Sequence, residues 1–364
     1  MDNLKQFFLH KRVLITGHTG FKGAWLTQVL TNWGAEVTGI ALEPHVSPNL
    51  FDTLALSERM AHYISDVRDF SAIQDIFAKE KPEIVIHLAA QAIVRESYRD
   101  PVRTVAVNTL GTTHILEAIR STPSVKSAVF ITTDKVYENK EWWYAYREND
   151  QLGGHDLYSG SKSAADIIIN CYARSFFHPE KFGKGHHTLI AAARAGNVIG
   201  GGDWSKDRLL PDFVRSVFED NISLRVRNPH AIRPWEYVLE PISGYLLLAK
   251  KLYEGDVGST GAWNFGPRDD SFVTAETMIR NAVSMCGRGA YHIESDDALH
   301  ESTLLKLDIA KAKTALGWSP ILNLERNLRV TLDWYRAYYE KKDMREVTDA
   351  QIDSFFEEFE RRMA

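Results

Sequence analysis

Apolar residues in this chain come either in short unbroken runs or at every third or fourth position of longer segments. Arg12–Ile15, Glu36–Ala41, Glu83–His87 and Ala128–Thr132 are of the first kind, rich in β-branched residues, and predict strands. Between the first two, Leu26, Val29, Leu30 and Trp33 fall at helical spacing. Unbroken apolar strands alternating with amphipathic helices predict a parallel sheet covered on both faces, an α/β architecture. This rhythm defines a first domain over 1–195. Beyond Gly196 the elements shorten, punctuated by Gly200-Gly201-Gly202 and Asn228-Pro229. A smaller, partly interleaved C-terminal domain over 196–364 is expected there, with part of 234–266 returning to the first. The segment 42–57, with proline and serine but little periodicity, reads as a loop. The charged stretch from Lys341, with Phe355, Phe356 and Phe359, reads as a peripheral helix.

Composition narrows the function classes. Hydrophobic residues make up 44% of the chain and charged residues 25%, which argues against disorder. The net charge of −5 comes from interspersed signs with no basic block, so neither nucleic acid nor an anionic membrane surface is an expected partner. The two cysteines, Cys171 and Cys286, form no CxxC pair, and no metal site is expected. The polar start MDNLKQFFLHKR and the absence of a membrane-length apolar run predict a cytoplasmic protein.

Chemistry enters at Gly17-His18-Thr19-Gly20-Phe21-Lys22-Gly23, placed between the first strand and first helix. Glycines there let the backbone approach a pyrophosphate, and the helix N-terminus offers N–H groups to its charge. The sheet is therefore read as Rossmann-type and doubly wound, with 42–57 lying over the cofactor. Asp66 and Val67 follow the third strand and can reach an adenine. Leu88-Ala89-Ala90-Gln91 follow the fourth, where small residues leave room for ribose and phosphates. No acid ends the second strand: Ala41-Leu42 stand there and Glu43 is the nearest, so NAD is expected over NADP without the usual ribose-binding acid. Lys22 is the nearest cation for a 2′-phosphate.

Tyr158 and Lys162, four apart, share a helix face, and an ammonium beside a phenol stabilises its phenolate. Thr132-Thr133-Asp134-Lys135 ends a strand, where ligands bind in open α/β sheets. Asp134 and Lys135 add an acid and a base that a simple dehydrogenase does not need.

With these motifs the chain resembles the extended short-chain dehydrogenase/reductase family from Arg12 to about Tyr338. Within it, Thr133-Asp134-Lys135, Tyr137–Trp142 and Tyr146–Asn149 resemble the CDP-glucose 4,6-dehydratases, with Leu157 standing where a proline is common before the tyrosine. The resemblance implies NAD as cofactor, CDP-glucose as nucleotide-sugar substrate and a homodimer or higher homo-oligomer. It implies oxidation at C4, elimination of water across C5 and C6, and hydride return to C6. Thr133, Asp134, Lys135, Tyr158 and Lys162 would be catalytic. The cofactor would meet Gly17, Thr19, Gly20, Phe21, Lys22, Gly23, Asp66, Val67, Leu88–Gln91, Asn108, Tyr158 and Lys162. Thr133, Arg194, Asn197, Arg208, Leu209, Arg225 and Arg233 would hold the substrate, with Arg227 nearby; Trp235 and Tyr237 read as core. Two other readings stay open: a nucleotide-sugar 4-epimerase, which needs no Asp134–Lys135 pair, and a non-catalytic dinucleotide-binding scaffold.

Overall fold

The computed structural model describes residues 3–294 and 304–363. Its strands are β1 Arg12–Thr16, β2 Glu36–Ala41, β3 Ala61–Ile64, β4 Ile84–His87, β5 Ser127–Ile131, β6 Leu189–Ala195, β7 Asn197–Ile199, β8 Ser223–Val226, β9 Ile232–Tyr237, β10 Gly261–Phe265, β11 Phe272–Thr274 and β12 Ala290–Ile293. Seven of these form one sheet in the order β10-β6-β5-β4-β1-β2-β3, every neighbouring pair parallel. Successive side chains leave opposite faces of a strand. Val13, Ile15, Ile84, Ile86, Val129 and Ile131 accordingly pack on the Phe21–Asn32 and Leu239–Tyr253 helices. Leu14, Val85, Ala128 and Phe130 pack on the Phe70–Glu80 and Gly111–Arg120 helices behind. That is why these strands read as unbroken apolar runs.

Strand order reverses between β1 and β4, and a network at their carboxyl ends fixes the switch point. Thr16 Oγ1 lies 2.6 Å from His87 Nδ1 and accepts the Ala89 N–H at 3.1 Å. The other His87 nitrogen is 3.0 Å from Thr112 Oγ1. Burial, helped by the Lys162 charge, lowers the His87 pKa to about 3, so the ring is neutral.

After β6 the chain builds two small sheets, β11-β9-β7 and β12-β8. It returns between them: the Leu239–Tyr253 helix packs on β5 and β6, and β10 pairs with β6. The segment 42–57 departs from the expected loop. Asn49 caps a short Leu50–Thr53 helix, and Leu50, Phe51, Leu54 and Leu56 are buried. Apolar burial there outweighs the turn-forming composition. The C-terminal Met344–Met363 helix is likewise not peripheral. It buries Phe355, Phe356 and Phe359, with Phe356 against Trp33 at 4.6 Å between ring centroids. It packs on the Phe21–Asn32 helix, so this part of 196–364 lies against the large sheet's layer.

Candidate active site

The glycine turn is shaped by close approach. Gly17 has φ +77°, and a Cβ there would stand 2.8 Å from Ala89 N. A Cβ on Gly23 would meet the Gly17 carbonyl oxygen at 2.1 Å. Gly20 is the N-cap of Phe21–Asn32 and brings no capping side chain, leaving the first N–H groups of that helix to a ligand. Thr19 Oγ1 donates to Leu42 O at 2.9 Å, tying the turn to the end of β2. Asp66 is engaged by Arg68 at 2.7 Å, and Val67 is buried beside Gly111. Asn108 holds Gln91 at both backbone groups, accepting its N–H at 2.8 Å and donating to its carbonyl at 3.0 Å, and donates to Ser161 Oγ at 2.9 Å. It thus fastens the segment after β4 to the Leu157–Ser175 helix.

Lys22 does not face the second strand's end. It lies half-buried in the cleft among Glu236, Arg208 and Asp134, and desolvation lowers its pKa to about 8 while Glu236 opposes the shift. A 2′-phosphate role at the edge of β2 is therefore withdrawn.

Thr133 caps the 3-10 turn Asp134–Val136 directly after β5, placing three polar side chains at the sheet's carboxyl edge. Asp134 is buried; its Oδ1 accepts from Thr133 Oγ1 at 3.0 Å, and its Oδ2 has no hydrogen-bond partner. Burial raises the Asp134 pKa, against the pull of Lys135 and then the Thr133 hydrogen bond. Across the cleft, Asp156 caps the Leu157–Ser175 helix by accepting the Ser159 N–H at 2.9 Å. Tyr158, in hydrogen-bond contact with Thr133, has its pKa pushed up to about 12, chiefly by burial. Lys162 donates to Ile131 O at 3.0 Å. Its pKa is lowered to about 7, first by burial and then by Lys22.

That depression has a measurable consequence for folding. Below about 7 the folded state carries the full penalty of a buried ammonium, and the penalty fades as pH rises toward the usual lysine value of 10.5. Lys162→Met should therefore raise the melting temperature at about pH 6, and the gain should shrink by about pH 10. A gain equal at both pH values would count against the buried charge.

Thr133, Asp134, Lys135, Tyr158, Asn197, Arg208, Leu209, Arg225 and Arg233 line one cleft of about 330 Å³. Arg194 does not. Both its guanidinium and the Asp166 carboxylate are buried, with NH2 2.6 Å from Oδ1 and Nε 2.9 Å from Oδ2, so it supports the site from beneath instead of meeting a phosphate. Arg208 pairs with Asp203 at 2.9 Å within the cleft wall. Trp235 and Tyr237 are buried core residues, as expected. Glu236 escaped sequence reasoning. It is fully buried, accepts the Gly196 N–H at 3.2 Å, and is held well above the usual carboxylate range by burial. Its one signal was an acid between Trp235 and Tyr237, both read as core.

A family model described as GDP-mannose 4,6 dehydratase matches residues 14–331. The chain belongs to the GDP-mannose 4,6-dehydratase family. Membership agrees with the resemblance drawn from the glycine turn and the Tyr158–Lys162 pair. Within the family it is similar to a CDP-glucose 4,6-dehydratase of Salmonella typhimurium, 44% identical over 95% of this chain and 97% of that protein. It is 25% identical to a dTDP-glucose 4,6-dehydratase of Shigella flexneri over 90% of this chain and 93% of that one. Among solved structures, the UDP-glucose 4-epimerase of Thermotoga maritima with UDP-glucose covers 90% of this chain and 99% of its own at TM-score 0.76 and 23% identity, a likeness of fold. Among the described residues no helix is long and apolar enough to cross a membrane.

Proposed function

We propose that the chain dehydrates CDP-glucose to CDP-4-dehydro-6-deoxyglucose with NAD held at the Gly17–Gly23 turn. The observation that carries this is the buried Asp134, its Oδ2 without a partner, beside Lys135 and opposite Tyr158. The relative named for CDP-glucose supports the choice of substrate.

The turn suits a dinucleotide: a Cβ at Gly17 or Gly23 would fill the approach, and an uncapped helix start faces it. Gly17, Thr19, Gly20, Phe21, Lys22 and Gly23 would hold the pyrophosphate side, and Asp66, Val67 and Leu88–Gln91 the adenosine side. When bound, NAD supplies a hydride acceptor and later a hydride donor. Tyr158 takes the proton of the sugar 4-hydroxyl, with the Arg208 charge favouring its phenolate. A C4 ketone acidifies the C5 proton, which the Lys135 amine accepts. Asp134, whose acid form burial favours, donates to the departing 6-hydroxyl oxygen, and water leaves. Lys135 then returns the proton to C5. Asn197, Arg225 and Arg233 face the nucleotide.

Incubation with CDP-glucose and NAD in heavy water tests this. Loss of one water with deuterium entering at C5 is expected. Unchanged mass with inverted C4 would mark an epimerase and overturn the reading.

The enzyme is further proposed to act as a homodimer. Val102, Val105 and Leu110 are exposed on segments that pack on the Tyr158-bearing helix, where Leu157 and Ile167 are exposed too, apolar surface suited to a second copy. Val102→Arg should convert a dimer to a monomer by light scattering; a wild-type monomer would refute it.

A further inference from the structure

One ion pair of the cleft wall has no part in the chemistry above. Asp207 Oδ1 accepts from Arg227 NH1 at 2.6 Å, both side chains being partly exposed at the cleft. Asp207 stands at φ +62°, a left-handed conformation unusual for a residue other than glycine, in the segment leading into the Leu209–Phe218 helix. From the opposite wall Arg95 and Arg99 of the Val94–Arg99 helix add their charge, and with Arg227 they hold the Asp207 carboxyl below its usual range. Arg95 lines the cleft with its Nε buried. Arg95 follows β4 of the large sheet, whereas Arg227 follows β8 of the small one. A carboxylate thus sits between arginines of the two walls. Seven Lys and Arg line this cleft against four Asp, an excess that suits a diphosphate.

We propose that Arg95 is a substrate-binding residue that grips a nucleotide phosphate together with Arg227, and that Asp207 is the internal anion occupying this place until the nucleotide arrives. The proposal rests on the nucleotide-sugar reading and adds to it a contact from the large-sheet wall. Guanidinium forks bind a phosphate through parallel hydrogen bonds, and its greater charge displaces a single carboxylate.

Calorimetric titration of the full chain with CDP tests this in wild type, Arg95→Ala and Asp207→Asn. Arg95→Ala should weaken binding by about tenfold or more. Asp207→Asn should tighten it by about threefold, because the competing charge is gone while the side chain's shape remains. Arg95→Lys should fall between wild type and Arg95→Ala, keeping charge without the fork. If Arg227–Asp207 were only a structural strut, both Arg95→Ala and Asp207→Asn would weaken binding or neither would change it, and either result overturns the proposal. Wild type that fails to bind CDP would overturn the nucleotide-sugar reading itself, and this inference with it.

Discussion

Tyr158→Phe should fold normally and bind CDP as wild type does, yet turn over CDP-glucose about 10²–10⁴-fold more slowly. Phenylalanine keeps the ring, and the Leu157–Ser175 helix is capped by Asp156 without help from the phenol. What is lost is the phenol oxygen that meets Thr133 and lies within the field of Arg208. The size of the effect follows from the acid–base chemistry assigned to it. A phenol pushed up to about 12 in the resting cleft is a poor base, and it becomes one only when positive charge gathers around it. Removing the oxygen ends proton transfer from the 4-hydroxyl, so every later step starves. Single-turnover kinetics should show no deuterium entering C5. A variant with near-normal turnover would remove Tyr158 from the mechanism.

The second large effect concerns stability. Asp166→Ala leaves Arg194 charged and buried without its carboxylate, a change that destabilises by about 3–5 kcal/mol in comparable cases. The pair anchors more than itself. Asp166 Oδ2 also accepts from Thr132 Oγ1 at 3.0 Å. Arg194 NH1 donates to Tyr137 OH at 2.8 Å and to Glu148 O at 3.0 Å, and Tyr137 OH donates to Asn264 Oδ1 at 2.7 Å. Helix, β5, β6 and β10 therefore meet at one ion pair beneath the sheet's carboxyl edge. Replacing both partners by apolar residues, Asp166→Leu with Arg194→Met, should recover much of the loss, since neither charge is then stranded. Chemical denaturation of the single and double variants measures this. Equal losses in both would mean that the surrounding hydrogen bonds, not the charges, carry the stability.

The same pair marks the limit of what the sequence disclosed. Arg194 looked like a phosphate ligand because it lies in the region expected to bind nucleotide. Its partner is 28 positions away on a helix, and only the fold brings the two together. Local signals fared better where the physics is local. Strands buried on two faces are continuous apolar runs, and the Tyr158–Lys162 spacing is a property of one helix turn. The polar cluster at Thr133–Lys135 was legible because a strand's end is itself legible. Segment 42–57 misled because proline and serine advertise a turn, while Leu50, Phe51, Leu54 and Leu56 are drawn into the core by a helix elsewhere. Glu236 was missed because nothing in its neighbourhood of sequence reveals that Lys22, some two hundred positions earlier, lies beside it.

The return of β10 to β6 bears on how the chain may be handled and made. All seven residues of β6 are buried, and β10 is what covers its outer hydrogen-bonding side. A fragment ending near 195 would present Leu189–Ala195 as a bare apolar sheet edge, the kind of surface on which chains pair with one another and aggregate. During synthesis the large sheet stays open on that side until residue 265 has emerged, so the nascent protein depends on prompt completion, or on a chaperone's cover, to remain soluble.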